Sequence, residues 1–217
     1  MTMEDEYFVA DGGRFVAVFD GHGGGGVSQY LKNHLYDFVC NHVQIKNWEE
    51  NDALFSRPSP SINATSCDTA NVRGSDAEIP SVFSYAAALK SAFGEIEENV
   101  LKNDTLQYQG STAVAVLIHE KHGGNSKTKT CKRKHRTLLS ANVGDSRAVL
   151  SRNGNAVDLT RDHKPNNDQE KSRILAMGET IEWDRVSKVH RVRNLSLSRA
   201  IGEIGRASCR ERVLNLV

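Results

Sequence analysis

Tyr7–Ala10 and Phe15–Phe19 are apolar runs separated by Asp11-Gly12-Gly13-Arg14, and Asp-Gly between two β-rich runs predicts a hairpin. The second run is apolar at every position, which predicts a buried strand. It stops at Asp20-Gly21-His22 and four further glycines, so a strand delivers a carboxylate and an imidazole to a sheet edge. From Val27 to Val43 the period becomes helical. Val27, Leu31, Leu35, Phe38 and Val39 share one face, with His34 and His42 at its margin as core-edge histidines. Residues 49–80 lose all periodicity and are rich in Asn, Ser, Pro and Asp, which predicts a surface insertion, disordered in part.

Ser81 then caps a second helix to about Leu101, with Phe83, Ala86, Leu89, Phe93, Ile96 and Val100 on one face. Glu95, Glu97 and Glu98 read as its solvated acidic edge. Ser111–Ile118 is apolar on both faces and predicts a strand covered on both sides. Leu138–Val143 and Arg147–Ser151 are expected to form a hairpin about Gly144-Asp145, and Asn153-Gly154 a second turn into Ala156–Leu159. A third helix is expected from Asp168 to about Met177, ending at Gly178. Helices interleaved early with strands, followed by a meander, predict an α+β fold of antiparallel sheets with helices packed outside.

The 28 Lys and Arg nearly balance 27 Asp and Glu, which argues against nucleic-acid or membrane partners. No apolar run reaches the roughly 18 residues of a membrane helix, and no signal peptide opens the chain. Cys40, Cys67, Cys131 and Cys209 show no C-x-x-C spacing and read as free thiols. The expectation is a monomer inside the cell, cytoplasmic or nuclear. Lys121 to Arg136, the tip of a hairpin within a loop at 120–136, holds seven Lys and Arg and no acid. Its stretch 132–136 reads as a solvated basic loop or as a nuclear-import or acidic-partner patch.

Folding the first hairpin about Gly12 puts Glu4 opposite Asp20, whereas a two-residue turn at Gly12-Gly13 puts Asp5 there. Either way two carboxylates face each other with Cβ atoms roughly 5 Å apart, which is unfavourable unless a positive charge lies between them. Oxygen ligands suit Mg²⁺ or Mn²⁺. Ser111 and Thr112 have no base near them in sequence and read as structural. Asp162-His163-Lys164-Pro165 reads as a structural turn, since adjacent side chains on an extended segment point apart. Gly21-x-Gly23-x-x-Gly26, with Asp37 downstream, also matches a dinucleotide-binding fingerprint. Asp20 beside a pyrophosphate, and Asp37 within the helix, argue against that alternative.

Met3-Glu4-Asp5 and Asp20-Gly21-His22-Gly23-Gly24 resemble the start of the metal-dependent PP2C (PPM-type) protein serine/threonine phosphatases. Gly110-Ser111-Thr112-Ala113, then Ala141 to Ala148, Thr160 to Pro165 and Leu197 to Glu203 continue the resemblance in the family's order. The resemblance implies an α-β-β-α sandwich of two antiparallel sheets flanked by helices. It also implies hydrolysis of phosphoserine and phosphothreonine proteins by a metal-activated water at a binuclear Mn²⁺ or Mg²⁺ site. Asp20 matches the carboxylate that bridges both metals, and Gly21 matches a coordinating carbonyl. Glu4 matches a ligand acting largely through water, supported by Asp5. Asp145 matches a residue of a third, weaker metal site, though a turn-forming aspartate explains Gly-Asp-Ser equally well. His22 matches the proposed general acid, and an imidazole titrates near neutral pH.

Three departures qualify the resemblance. The family's phosphate-gripping arginine falls before Met1. Asn194 replaces a usual glycine, and Glu203 a usual aspartate. Later metal-binding aspartates have no counterpart, since Asp184 is the last aspartate in the chain. The expectation is a partial domain over 3–204, truncated at both ends, with a non-native tail at 205–217. A catalytically inactive, phosphoprotein-binding or regulatory fragment is therefore the alternative function.

Overall fold

β1 (Glu6–Ala10) and β2 (Phe15–Phe19) pair antiparallel, with Ala10 opposite Phe15 and Glu6 opposite Phe19. Between them Gly12 (φ 59°, ψ 25°) and Gly13 (φ 89°) adopt left-handed backbone, and Arg14 N–H donates to Asp11 O at 3.0 Å. This is the type I′ geometry whose twist matches a hairpin. In this computed structural model the described residues are 3–43, 80–121, 135–203 and 213–216. The expected insertion at 49–80 (all but Pro80), the tip of the basic loop and three of the four cysteines lie outside them. Cys40 is a free thiol.

The hairpin opens a five-stranded antiparallel sheet of order β1-β2-β5-β6-β11, in which β5 is Ala113–Lys121, β6 His135–Val143 and β11 Val213–Leu216. β11, part of the stretch expected to lie outside the domain, runs along the free edge of β6. Helices α1 (Gly26–Val43) and α2 (Val82–Leu101) cover one face of the sheet. The register explains how closely they approach. Ala17, Ala115 and Ala141 form one row across β2, β5 and β6, flanked by the row Phe15, Leu117, Leu139. The small side chains leave a trough into which both helices press. Leu31, Leu35, Val39, Leu89, Phe93 and Ile96 from the helices are all buried there, each worth about 2 kcal/mol in apolar burial.

The two helix predictions hold with one exchange of residues. Ser81 Oγ accepts from Ser84 N at 3.2 Å as the cap of α2, but Phe83 is 72% exposed and Tyr85 takes its place in the core. Position 85 lies one turn before Leu89, and position 83 falls off that stripe. Glu97 is also corrected. It is buried, and its Oε2 accepts from Gly202 N–H at 3.3 Å. Glu95 does lie at the surface, where its Oε2 meets His42 Nε2 at 2.8 Å. His34 lies against Tyr30 and Phe38 as an edge residue, whereas His42 is exposed and belongs to this surface pair.

The strand Phe15–Phe19 buries only alternate residues: Val16 and Val18 are 38% and 43% exposed. The expected hairpin about Gly144-Asp145 is not formed. β6 pairs with β5 and β11, while β7 (Val149–Arg152) pairs with β8 (Asn155–Asp158). The chain leaves β6 at Gly144 because His163 N–H donates to Gly144 O at 2.9 Å and Gly144 N–H donates to His163 Nδ1 at 3.1 Å. The Asn-Gly turn is confirmed, with Asn153 and Gly154 at φ 53° and 81° joining β7 to β8. Helix α3 (Asp168–Ala176) is capped by Asn167 Oδ1, which accepts from Gln169 N, and it stops before Gly178 at φ 77°. Ile181–Asp184 and Val189–Val192, strands β9 and β10, pair as a further ribbon. The architecture is α+β, as expected. Among the described residues, no helix is long and apolar enough to cross a membrane.

Candidate active site

Three segments distant in sequence meet beyond the end of β2. β3 (Gly21–His22) pairs with β4 (Gly110–Ser111), setting Gly21 opposite Ser111 and His22 opposite Gly110. Ser111 in turn exchanges backbone hydrogen bonds with Ile201, at 3.1 and 2.8 Å. Residues 20–22, 110–112 and 201–203 are thereby brought side by side. A Cβ at Gly110 would lie 2.5 Å from His22 Nε2, so only glycine lets the imidazole pack there.

Ser111 and Thr112 are buried, and both act on the Asp20 backbone. Thr112 N–H donates to Asp20 O at 2.9 Å, Asp20 N–H donates to Thr112 Oγ1 at 3.2 Å, and Ser111 Oγ donates to Asp20 O at 3.2 Å. Their role is to hold the end of β2, as the structural expectation had it.

The hairpin register settles which carboxylate opposes Asp20. Continuing Glu6–Phe19 by one step sets Asp5 against it. Burial raises the Asp20 carboxyl above the ordinary range; the Asp5 charge and an Asp5–Asp20 side-chain hydrogen bond raise it further, as does Asp145, while His22 partly offsets this. Two carboxyl groups set against each other in this way favour sharing either a proton or a cation. The donor set fits a hard divalent ion, being carboxylate oxygens followed by the Gly21 backbone.

The other expected ligands are engaged elsewhere. Glu4 Oε2 accepts from Gly24 N–H at 3.2 Å, and its carbonyl accepts from Ser28 Oγ at 2.6 Å. Asp145 Oδ2 lies 3.4 Å from Lys164 Nζ. Among the described residues, no group of three or more His, Cys, Asp and Glu side chains gathers at ligand spacing. Asp20 and Asp5 are therefore together, Asp145 within their electrostatic reach, and Glu4 tied to the glycine loop. Arg14, at the far end of the hairpin, pairs with Asp11 at 3.7 Å.

The glycine loop does not present an open anion site. Gly26 N–H, at the start of α1, donates to Gln109 Oε1 at 2.8 Å, and a Cβ at Gly23 would lie 2.5 Å from Tyr108 O. The turn at 104–109 fills the space that a pyrophosphate would occupy. Asp37 lies mid-helix on an exposed face. The dinucleotide alternative is thereby excluded. Nothing local in the sequence marked Gln109 as the helix cap.

A buried ionic network fixes the third segment. Glu170 Oε2 accepts from Arg173 Nη2 at 2.6 Å, Ser198 Oγ at 2.6 Å and Arg199 Nε at 2.9 Å, and its Oε1 binds Arg199 Nη2. Burial opposes the charge of Glu170, but hydrogen bonds from Arg199, Arg173 and Ser198 outweigh it and hold the carboxyl at about 2. His163 is buried beside this network and bonded to Gly144, so it is structural. Burial, then Arg199, lowers its imidazole to about 4.

Because the unfolded chain takes up a proton near pH 6.5 and the folded chain only near 4, this histidine weakens the fold as pH falls through that window. The Glu170 contribution is lost in turn between about 4.5 and 2. The urea midpoint should decline from pH 6.5 to 4, and His163→Asn should flatten that decline. The upper bound is about 3 kcal/mol. A midpoint unchanged across the window would contradict the buried neutral imidazole.

The family model for protein phosphatase 2C matches residues 9–205. A protein phosphatase 2C homolog 2 of Schizosaccharomyces pombe is 34% identical over 191 residues, covering 87% of this chain and 37% of that protein. The chain thus spans well under half the length of that relative. Among solved structures, a C. elegans sex determining protein aligns with TM-score 0.66 at 22% identity, over 100% of this chain and 45% of that one. A serine-threonine phosphatase 2C from Toxoplasma gondii aligns with TM-score 0.61 at 19% identity, over 94% of this chain and 63% of that one. At these identities the two structures establish the fold, an α+β arrangement of antiparallel sheets and helices.

Proposed function

The chain belongs to the protein phosphatase 2C family, and on that premise we propose that its site hydrolyses phosphoserine and phosphothreonine esters of proteins with Mg²⁺ or Mn²⁺ bound at Asp20. The observation that carries this is the hairpin register, which sets Asp5 against Asp20 at the end of the strand that leads into His22, where burial, Asp5 and Asp145 raise the Asp20 carboxyl. Such repulsion is relieved when a divalent cation replaces the shared proton. Asp20 and Asp5 would hold the ion, with the Gly21 carbonyl beside them. Glu4 would act through water, and Asp145 would serve a third, weaker site once released from Lys164. A bound cation there supplies an acidified attacking water and offsets charge on the phosphoryl oxygens.

His22 donates the proton that the departing serine or threonine oxygen needs. An alkoxide is a poor leaving group and depends on that proton, whereas an aryl oxide does not. His22→Ala is expected to slow phosphothreonine-peptide hydrolysis by about a hundredfold. Hydrolysis of an activated aryl phosphate by the same variant should change by less than about tenfold. Equal losses on both substrates would remove the general-acid role.

A second reading is favoured by the Asp145–Lys164 ion pair, which neutralises one expected ligand. On that reading the protein binds phosphoproteins without cleaving them. Tight phosphopeptide binding with no phosphate release at saturating Mn²⁺ would select it.

A further inference from the structure

Glu203 stands where the resembled pattern carries aspartate, and the fold buries it: the residue is 3% exposed. Its Oε1 lies 3.4 Å from His22 Nε2, and among the described residues that imidazole is its partner at ion-pair distance. Glu203 Oε2 and His22 Nε2 are both buried and have no hydrogen-bond partner. A buried carboxylate is costly unless something shares its charge. The contact is enforced from two sides. Gly110 lies against the Nε2 edge of the ring, where any Cβ would clash, and against Glu203 Cγ, at 3.0 Å from the same Cβ position. Ile201, two residues before Glu203, is fixed to Ser111. The His22 side chain is still 31% exposed although Nε2 is buried, so its open edge lies away from Glu203.

We propose that Glu203 is a positioning residue: it engages His22 at Nε2 and so assigns Nδ1 as the nitrogen that delivers the proton in the phosphatase reaction. The arrangement follows the logic of a carboxylate that orients an imidazole from behind, and it rests on the phosphatase function proposed above. In the step itself, water forms the new P–O bond and the P–O bond to serine or threonine breaks with its electron pair on the departing oxygen. That oxygen takes the Nδ1 proton, the proton of the attacking water leaves to solvent, and the ring is reprotonated from solvent. Nε2 keeps its proton, facing Glu203, throughout.

The first test needs no activity. In the unaltered chain, the ring N–H proton of His22 on Nε2 should give a downfield, exchange-protected NMR resonance. That signal should vanish in Glu203→Ala and persist in Glu203→Asp. A protected proton on Nδ1, no protected ring proton in the unaltered chain, or a signal that survives Glu203→Ala would each overturn the proposal.

The second test is kinetic. Glu203→Ala should lower turnover of a phosphothreonine peptide by roughly tenfold or more, spare an aryl phosphate, and add little to His22→Ala; Glu203→Asp should recover most of the loss. Equal losses on both substrates would reduce Glu203 to a purely structural role and overturn the proposal. Absence of phosphate release from every substrate, with the ring signal intact, would overturn the phosphatase function and still support the pairing of Glu203 with His22.

Discussion

Asp20→Asn is expected to abolish Mn²⁺- or Mg²⁺-dependent phosphate release, a loss of about a thousandfold or roughly 4 kcal/mol of transition-state stabilisation. Asparagine keeps the shape of the side chain and removes the charge that a divalent ion requires. The fold should survive. β2 ends on hydrogen bonds that the Asp20 carbonyl accepts from Thr112 N–H and Ser111 Oγ and that its N–H donates to Thr112 Oγ1, none of which uses the carboxylate. Stability at neutral pH should even rise slightly, because the substitution removes repulsion from Asp5 and Asp145. Weaker Mn²⁺ binding, lost activity and an undiminished urea midpoint together are the expected result. Unchanged activity would remove Asp20 from the site, and a collapsed midpoint would make it structural.

Glu170→Ala should cause the largest loss of stability, about 3–5 kcal/mol. It leaves the guanidinium of Arg199, only 5% exposed in its side chain, without its carboxylate, and it takes from Arg173 and Ser198 a shared acceptor. Such a loss is a sizeable part of the total stability of an ordinary domain, and for a chain of this size corresponds to roughly 10 °C in Tm. The damage should reach the site, since the same network anchors the segment that carries Ile201 to Ser111 and Glu203 to His22. Replacing Glu170 and Arg199 together by apolar residues of similar volume should cost less than Glu170→Ala alone. A loss under about 1 kcal/mol for Glu170→Ala would mean that the network is solvated in solution.

Local chemistry was legible and remote partners were not. Asp11-Gly12 and Asn153-Gly154 announced their turns, because a left-handed backbone demands those residue types. The first turn then decided between Glu4 and Asp5, since its two-residue type I′ form fixes the register. Ser81 and Asn167 sit at their helix starts because their side chains accept the first free N–H groups.

The failures share one cause. Glu97 reads as a solvated acid until Gly202, more than a hundred residues later, supplies its donor. The segment after Val143 reads as a hairpin until His163 binds both the N–H and the carbonyl of Gly144. Phe83 is the more apolar of the two by type, yet Tyr85 is the one on the Leu89 stripe that docks on the sheet. Gln109, Glu170 and the facing of Glu203 on His22 escaped because each is a polar side chain whose role is defined by a partner remote in sequence.

Phosphate release from a phosphothreonine peptide, measured with saturating Mn²⁺ and again after chelation, tests the central claim most directly. Release that requires the metal, and that Asp20→Asn eliminates, is the predicted result. Release that persists through chelation, or none at any Mn²⁺ concentration from a chain that binds the ion, would contradict it.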